Sequence, residues 1–212
     1  NITKSPNSIV IGQGVQIDDA VKSLFIGTGR ISGKISASAD DNQELVAIGY
    51  NNTFEHSGQK SSITLGNNNR STGSNRNIII GTSNVVGNGL NLDDGTLFES
   101  EKSGILGNGY GLIGKGTYYI GNSTMNDSST SPATSRGLSK NSGIFGNDSF
   151  FGGYTGTIPG SFDANKIVEG SRIIGNNSQV AASDVMAIGN NILVQDWNMK
   201  GAVVLGSNSW AS

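Results

Sequence analysis

The sequence predicts an all-β solenoid, a fold in which short strands stack coil upon coil. Three observations predict it. An apolar triplet closed by glycine recurs eleven times, the closest copies lie 14 residues (Gly107 to Gly121) or 15 residues (Gly12 to Gly27) apart, and turn-forming residues follow most of the glycines. Such repetition marks a solenoid, because each unit buries its apolar surface only by stacking on its neighbours.

The repeat extends along the whole chain, so residues 1–212 are predicted to form one domain. A shorter copy of the motif ends at Gly114, midway between Gly107 and Gly121. This extra copy predicts two short strands of about five residues in each coil, joined by two tight turns. The glycines that close the eleven copies are Gly12, Gly27, Gly49, Gly66, Gly81, Gly107, Gly121, Gly146, Gly175, Gly189 and Gly206.

The composition is that of an ordered β protein with little net charge. The chain has 32 glycines, 3 prolines, no cysteine and a net charge of −2. Disordered chains combine low hydrophobicity with high net charge, which this chain lacks. The weak charge provides no basic patch for nucleic acid, and the lack of cysteine excludes disulfides and thiolate metal sites. No stretch approaches the roughly 18 apolar residues of a membrane span, so no membrane segment is expected in this fragment.

The two residues before each glycine form two columns that point to opposite faces of the strand. The column directly before the glycine is Ile, Leu or Phe in every copy, and we expect it to fill the core. The preceding column is also mostly apolar, and a strand that is apolar on both faces is covered on both faces. We expect a further copy of the chain to cover it, as the interface of a homo-oligomer. The predicted interface residues are Val10, Phe25, Ala47, Thr64, Ile79, Ile105, Tyr119, Ile144, Ile173, Ala187 and Val204.

The repeat resembles the head repeat of trimeric autotransporter adhesins (YadA-like heads), in which serine, small or apolar residues, Ile and Gly precede a polar turn. Residues 8–12 (SIVIG), 62–66 (SITLG) and 185–190 (VMAIGN) match this pattern. The resemblance implies a left-handed parallel β-roll of about eleven coils, assembled as a homotrimer on a bacterial outer membrane. It also implies binding of a host cell-surface receptor, such as one of the CEACAM type, or of an extracellular-matrix protein.

The chain opens on Asn1 without Met, so we expect it to be a fragment of a longer protein. Neither stalk heptads nor C-terminal barrel strands follow the repeats, which fits a head-only fragment. By the resemblance, the outer-membrane anchor would lie in a C-terminal region absent from this sequence.

Four intervals between the glycines are longer than one coil, and we expect the extra residues to form loops. They lie near residues 32–43, 88–102, 124–141 and 152–170. Lengthening a loop costs little, and insertions in repeat proteins often collect on the binding face. Apolar side chains on such loops are typical contact anchors, although they could also fold back onto the roll or a neighbouring subunit. The predicted partner-binding residues are Leu97, Phe98, Phe150, Phe151, Tyr154, Ile158 and Phe162.

No residue pattern predicts a catalytic, cofactor-binding or metal site. His56 is the only histidine, so zinc would lack a second soft ligand, and no nucleophile turn accompanies it for a Ser-His-Asp triad. Adjacent acids such as Asp93 and Asp94 do not define the spaced carboxyl pair of a glycosidase. We therefore expect a non-catalytic binding protein.

Two other functions make different demands on a repeat of this kind. A trimeric phage or viral fibre segment that binds or degrades polysaccharide would also have repeats, and it would carry paired acids in a cleft between subunits. An ice-binding solenoid would need a regular Thr-x-Thr column, whereas the comparable aligned column here is apolar.

Overall fold

The structure is a computed structural model that describes residues 2–3, 5, 7–18, 20–32, 42–55, 61–72, 75–87, 90–92, 97–124, 138–152, 161–162 and 166–211. Over these residues the chain is nearly all β, and most of its strands join one large parallel sheet. The prediction of an all-β chain is confirmed. The arrangement is compatible with a β-roll or solenoid.

The strands are short and follow one another along the described chain. They are β1 (Ile2–Thr3), β2 (Ile9–Ile11), β3 (Gln16–Asp18), β4 (Ala20–Val21), β5 (Leu24–Ser32), β6 (Asn42–Gln43), β7 (Val46–Glu55), β8 (Ile63–Asn67), β9 (Arg70–Thr72), β10 (Ile78–Thr82), β11 (Val85–Val86), β12 (Leu90–Leu92), β13 (Leu97–Phe98), β14 (Gly104–Asn108), β15 (Gly111–Lys115), β16 (Tyr118–Asn122), β17 (Leu138–Lys140), β18 (Gly143–Phe145), β19 (Phe150–Phe151), β20 (Ser161–Phe162), β21 (Val168–Glu169), β22 (Arg172–Ile174), β23 (Gln179–Val180), β24 (Met186–Ile188), β25 (Leu193–Val194), β26 (Val203–Leu205) and β27 (Trp210–Ala211).

The apolar triplets of the repeat lie in strands that pair side by side in parallel. We call this series the first row, and it consists of β2, β5, β7, β8, β10, β14, β16, β18, β22, β24 and β26. The register places like residue on like, so that Gly27 pairs with Gly49 and Gly81 with Gly107. The repeat in the sequence is therefore a repeat of strand pairing.

Stacking of the strands explains why the motif ends on glycine. A Cβ atom on Gly107 would lie 1.5 Å from the carbonyl oxygen of Gly121, and one on Gly66 would lie 1.9 Å from that of Gly81. Both glycines also have positive φ angles, of 153° and 119°, which other residues rarely adopt. At Gly206, which directly follows the last strand of the row, the nearest atom to such a Cβ would be the Ser209 hydroxyl at 3.4 Å. The close approach of the next strand makes glycine necessary.

A second row of parallel strands follows the turns after the glycines. It comprises β3, the later parts of β5 and β7, and β9, β11, β15, β17 and β21. Strands β19, β23, β25 and β27 form a separate four-stranded parallel sheet. First-row Ile105 and Tyr119 share one buried cluster with Leu112 of β15 and Phe151 of β19. The core therefore lies inside a single chain, between first-row strands and the strands that follow the turns.

The two apolar columns of the first row point the opposite way from the prediction. The column directly before the glycine is outward-facing, with Leu106 50% and Phe145 62% exposed, whereas the predicted interface column is buried in the chain's own core. Both assignments are wrong, because side chains of the facing strands, such as Leu112, already cover the predicted interface column. The predicted interface residues that are buried are Phe25, Ala47, Thr64, Ile79, Ile105, Tyr119, Ile144, Ile173 and Ala187, and those that are half-buried are Val10 and Val204.

Polar ladders stabilise both turns. Before the motif, the buried Ser103 hydroxyl donates to the Gly114 carbonyl at 2.7 Å and accepts the Thr117 N–H at 3.1 Å. After the glycine, a buried amide ladder runs from Asn52 through Asn69 to Asn84, with 3.1 Å between Nδ2 and Oδ1 at each step. These side chains supply partners for backbone groups that the turns leave unpaired.

Replacing Asn69 with alanine is expected to destabilise the protein by about 3 kcal/mol. The Asn69 Oδ1 accepts both the backbone N–H and the Nδ2 of Asn84, and its Nδ2 donates to the Gly81 carbonyl. A buried polar group that loses its partner costs about 1–3 kcal/mol. Urea unfolding followed by circular dichroism measures the effect.

The matched control is Asn176→Ala in the exposed amide ladder, where Asn176 donates to Asn190. Water can replace its lost partners, so we expect a loss of under about 1 kcal/mol. Equal losses at the two positions would contradict a special role for the buried ladder.

Candidate functional site

The outward side of the first row is a long apolar surface, which we call the open face. It is formed by side chains at the first and third positions of the motif, which alternate with the buried column. With about 4.8 Å between neighbouring strands, the row extends roughly 48 Å. The exposed large apolar residues of the open face are Ile9, Ile11, Ile48, Ile78, Ile80, Leu106, Tyr118, Ile120, Phe145, Ile174, Ile188, Val203 and Leu205.

The open face has the character of a protein–protein interface. Soluble monomers rarely expose contiguous apolar patches larger than a few hundred Å². Arg172 is the one charged residue at a first or third motif position, and its guanidinium donates to the carbonyl oxygens of Asn141 and Ser171. Ser171 lies in the turn before β22 and Asn141 in the turn before the neighbouring strand β18, so the guanidinium is hydrogen-bonded to turns beside the open face.

The four insertions lie between successive apolar triplets of the first row. The described strands on either side of them are β5 and β7, β11 and β14, β16 and β18, and β19 and β22. Each insertion therefore begins after one apolar triplet of the first row has ended and finishes before the next begins. No insertion therefore divides an apolar triplet of the open face.

Two of the insertions join in a small three-stranded sheet. Strand β12 pairs antiparallel with β13, and it pairs in parallel with β20 from the insertion near 152–170. Phe98 at the end of β13 is buried in a cluster with Ile113 and Leu138. Because Ile113 neighbours core residue Leu112 on β15, it points to the opposite, outer side of the second row. The small sheet is anchored there, on the far side of the second row from the core.

The predicted partner-binding residues have different positions. Phe98 is buried in the outer cluster, and the Lys115 ammonium lies 5.2 Å from its ring centroid. Phe151 is fully buried in the main core. Their assignment as contact residues is wrong, since each fills a core of its own chain.

The other predicted contact residues are not contradicted. Phe150 is half-buried and pairs with Gln179 on the outer side of the four-stranded sheet. Leu97 and Phe162 lie on strands of the small sheet. Tyr154 and Ile158 lie outside the described residues. Binding by these five residues stays a prediction.

Sequence reasoning missed two exposed aromatic residues. Trp210 is 71% exposed, in register with Leu193 on the four-stranded sheet. Tyr50 is 61% exposed and directly follows the motif glycine Gly49. The signal for Tyr50 was present in the sequence, since asparagine or threonine occupies this position in most other copies.

The structure brings together no catalytic constellation in the part of the chain that it describes. No three His, Cys, Asp or Glu side chains of that part could hold a metal ion together. Burial raises the pKa of the Tyr110 hydroxyl to about 12, and this hydroxyl donates to the Gly146 carbonyl at 2.7 Å. Tyr110 therefore acts as a structural hydrogen-bond donor. His56 lies outside the described residues.

Among the described residues, no helix has the length and apolarity needed to cross a bilayer.

Comparison with known proteins gives no relative. No protein-family model, no curated protein and no solved structure matches the chain.

Proposed function

We propose that this chain is the head of a trimeric bacterial surface adhesin that binds a host cell-surface receptor or an extracellular-matrix protein without catalysis. The observation that carries the proposal is the open face, a long row of exposed apolar side chains on the first-row strands. A resemblance of the repeat to YadA-like heads supports the same function. In this proposal the chain is a left-handed β-roll of about eleven coils.

The proposed trimer packs the open faces of three copies around a common axis. The exposed side chains directly before the glycines, including Ile80, Leu106 and Ile120, would then be buried between subunits. This arrangement uses the opposite column from the one that sequence reasoning selected. It also gives the apolar side chains an environment that a single chain in water does not provide.

The proposed partner-binding side is the one that carries the insertions. The small sheet of β12, β13 and β20 and the half-buried Phe150 lie away from the open face. Placing the copies of the chain on one side and the host protein on the other lets trimer formation and adhesion occur together. An outer-membrane anchor elsewhere in the protein would hold this head at the bacterial surface.

A binding screen tests the proposed function. The purified chain is passed over collagen, fibronectin, laminin and CEACAM-type receptor ectodomains in surface plasmon resonance. We expect saturable binding to at least one of them. We also expect at least tenfold weaker binding when residues 93–96 and 153–160 are replaced by Gly-Ser segments of equal length, which spares the core residues Phe98 and Phe151.

The matched control replaces residues 126–136, in a third insertion, in the same way and is expected to bind normally. Absence of saturable binding to every host protein would contradict the proposal. Shortening of a bacterial polysaccharide by the chain would support the fibre alternative instead.

A further inference from the structure

A neutral notch lies at the turns near the start of the first row. Its volume is about 420 Å³, within the range of roughly 300–1,000 Å³ that small-molecule sites occupy. None of the lining residues that the structure describes carries a charge at neutral pH. They are Gln13, Gly14, Gln16, Thr28, Gly29, Tyr50 and Asn51.

One turn at the notch is a residue shorter than its two neighbours. Arg30 pairs with both Gln16 and Thr53. Arg30 follows its motif glycine, Gly27, by 30 − 27 = 3 residues, whereas Gln16 follows Gly12 by 16 − 12 = 4 and Thr53 follows Gly49 by 53 − 49 = 4. The difference appears as a register shift after Thr28, which is a bulge in the longer strand β7. Bulges redirect side chains and are common beside functional sites.

The polar side chains of the notch have hydrogen-bonding capacity to spare. Among the described residues, the amides of Gln13 and Gln16 and the hydroxyl of Tyr50 make no hydrogen bond, although each is exposed. Asn51 donates its Nδ2 to Asn68 at 3.0 Å, which leaves its Oδ1 as an acceptor. An amide both donates and accepts, as a sugar hydroxyl does.

Tyr50 supplies an apolar surface among these polar groups. Elsewhere in this column of the repeat, residues such as Asn67 and Asn122 extend an amide ladder along the turns. Tyr50 instead presents a ring that is 61% exposed. A tyrosine ring can pack against an apolar C–H surface while its hydroxyl stays in contact with polar groups.

We propose that this notch binds a neutral saccharide, with one sugar ring packed on Tyr50 and its hydroxyls hydrogen-bonded to Gln13, Gln16 and Asn51. An anionic or cationic ligand would find no opposite charge among the described side chains that line the notch. A purely apolar ligand would leave the amides without partners, which is costly. This site is separate from the small sheet of the insertions and does not depend on the proposed adhesin function.

A glycan array with the whole purified chain tests the inference. The array carries neutral hexose and N-acetylhexosamine oligosaccharides from animal glycoproteins and from bacterial polysaccharides, together with sialylated and sulfated forms. We expect binding to neutral oligosaccharides, and the origin of the bound glycans distinguishes a host ligand from a bacterial one. Binding of only charged glycans, or of none, would overturn the inference.

Two variants and a control locate the binding site. Tyr50→Asn restores the ladder residue found in neighbouring repeats and is expected to fold normally while it weakens saccharide binding at least tenfold. Gln13→Ala removes an exposed amide that makes no hydrogen bond and is expected to weaken binding severalfold. Thr82→Asn changes the same column outside the notch and should leave binding unchanged.

Saturation-transfer NMR with the best neutral oligosaccharide gives the affinities for all three variants. Normal binding by both Tyr50→Asn and Gln13→Ala would place the saccharide elsewhere and overturn the inference. Host-protein binding that survives Tyr50→Asn would leave the adhesin proposal intact, so the two proposals can fail separately.

Discussion

Replacing both Leu106 and Ile120 with glutamate is expected to give a folded monomer at concentrations where the proposed trimer of the unaltered chain forms. Leu106 is 50% and Ile120 38% exposed in the single chain, so the substitutions leave its core intact. In the proposed trimer, however, the three copies of each glutamate would converge on the axis without opposite charges. The lost apolar burial alone amounts to roughly 3 kcal/mol or more per chain, which corresponds to at least about hundredfold weaker association.

The neighbouring residue Ile105 provides the control for this experiment. Ile105 precedes Leu106 in β14, points to the opposite face and is 2% exposed. Ile105→Glu would place an unpaired charge in the core, so we expect it to abolish folding rather than assembly. Sedimentation velocity reports the oligomeric state, and circular dichroism reports folding.

The paired substitutions also decide between the two possible interface columns. A folded monomer from Ile105→Glu, with assembly retained in the double variant, would restore the column that the sequence suggested. An unaltered chain that stays monomeric up to high concentration would contradict the proposed trimer itself.

The sequence alone could predict the strands of the first row and their period. Like residues such as Gly81 and Gly107 recur at the same point of the repeat, and the structure pairs them. The choice of buried column failed because both columns are apolar, and composition does not separate them. Arg172 distinguishes the two columns, since it lies two residues before Ile174 and so shares its face. A charged residue on that face marks it as the outer one.

The contacts that the insertions and their neighbouring residues make in the fold could not have been predicted in the same way. Pairing of β12 with β20 joins segments about 70 residues apart, and no local pattern specifies such a partner. Phe98 and Phe151 look alike in sequence, as aromatic residues at the borders of insertions. One fills a cluster outside the second row and the other fills the main core, and each position depends on contacts distant in sequence.

Replacing Gly107 with alanine is expected to destabilise the protein by more than about 4 kcal/mol, among the largest effects of a single substitution. The added Cβ would lie 1.5 Å from the carbonyl oxygen of Gly121 and 2.6 Å from its carbonyl carbon. Because these are backbone atoms in the next strand, relief requires β14 and β16 to move apart. For a chain of this size, we expect the melting temperature to fall by roughly 10 °C or more.

The same substitution at Gly206 separates the contribution of stacking from that of backbone conformation. Gly206 has a φ angle of 127°, similar to the other motif glycines, but no first-row strand follows it in the described chain. We expect Gly206→Ala to lower the melting temperature by only a few degrees, since it pays the conformational cost without the clash. Hydrogen exchange should show lost protection around β14 and β16 in Gly107→Ala, because each strand of a repeat array depends on its neighbours. Similar melting temperatures for the two variants would mean that φ alone, and not the approach of the next strand, requires glycine in the motif.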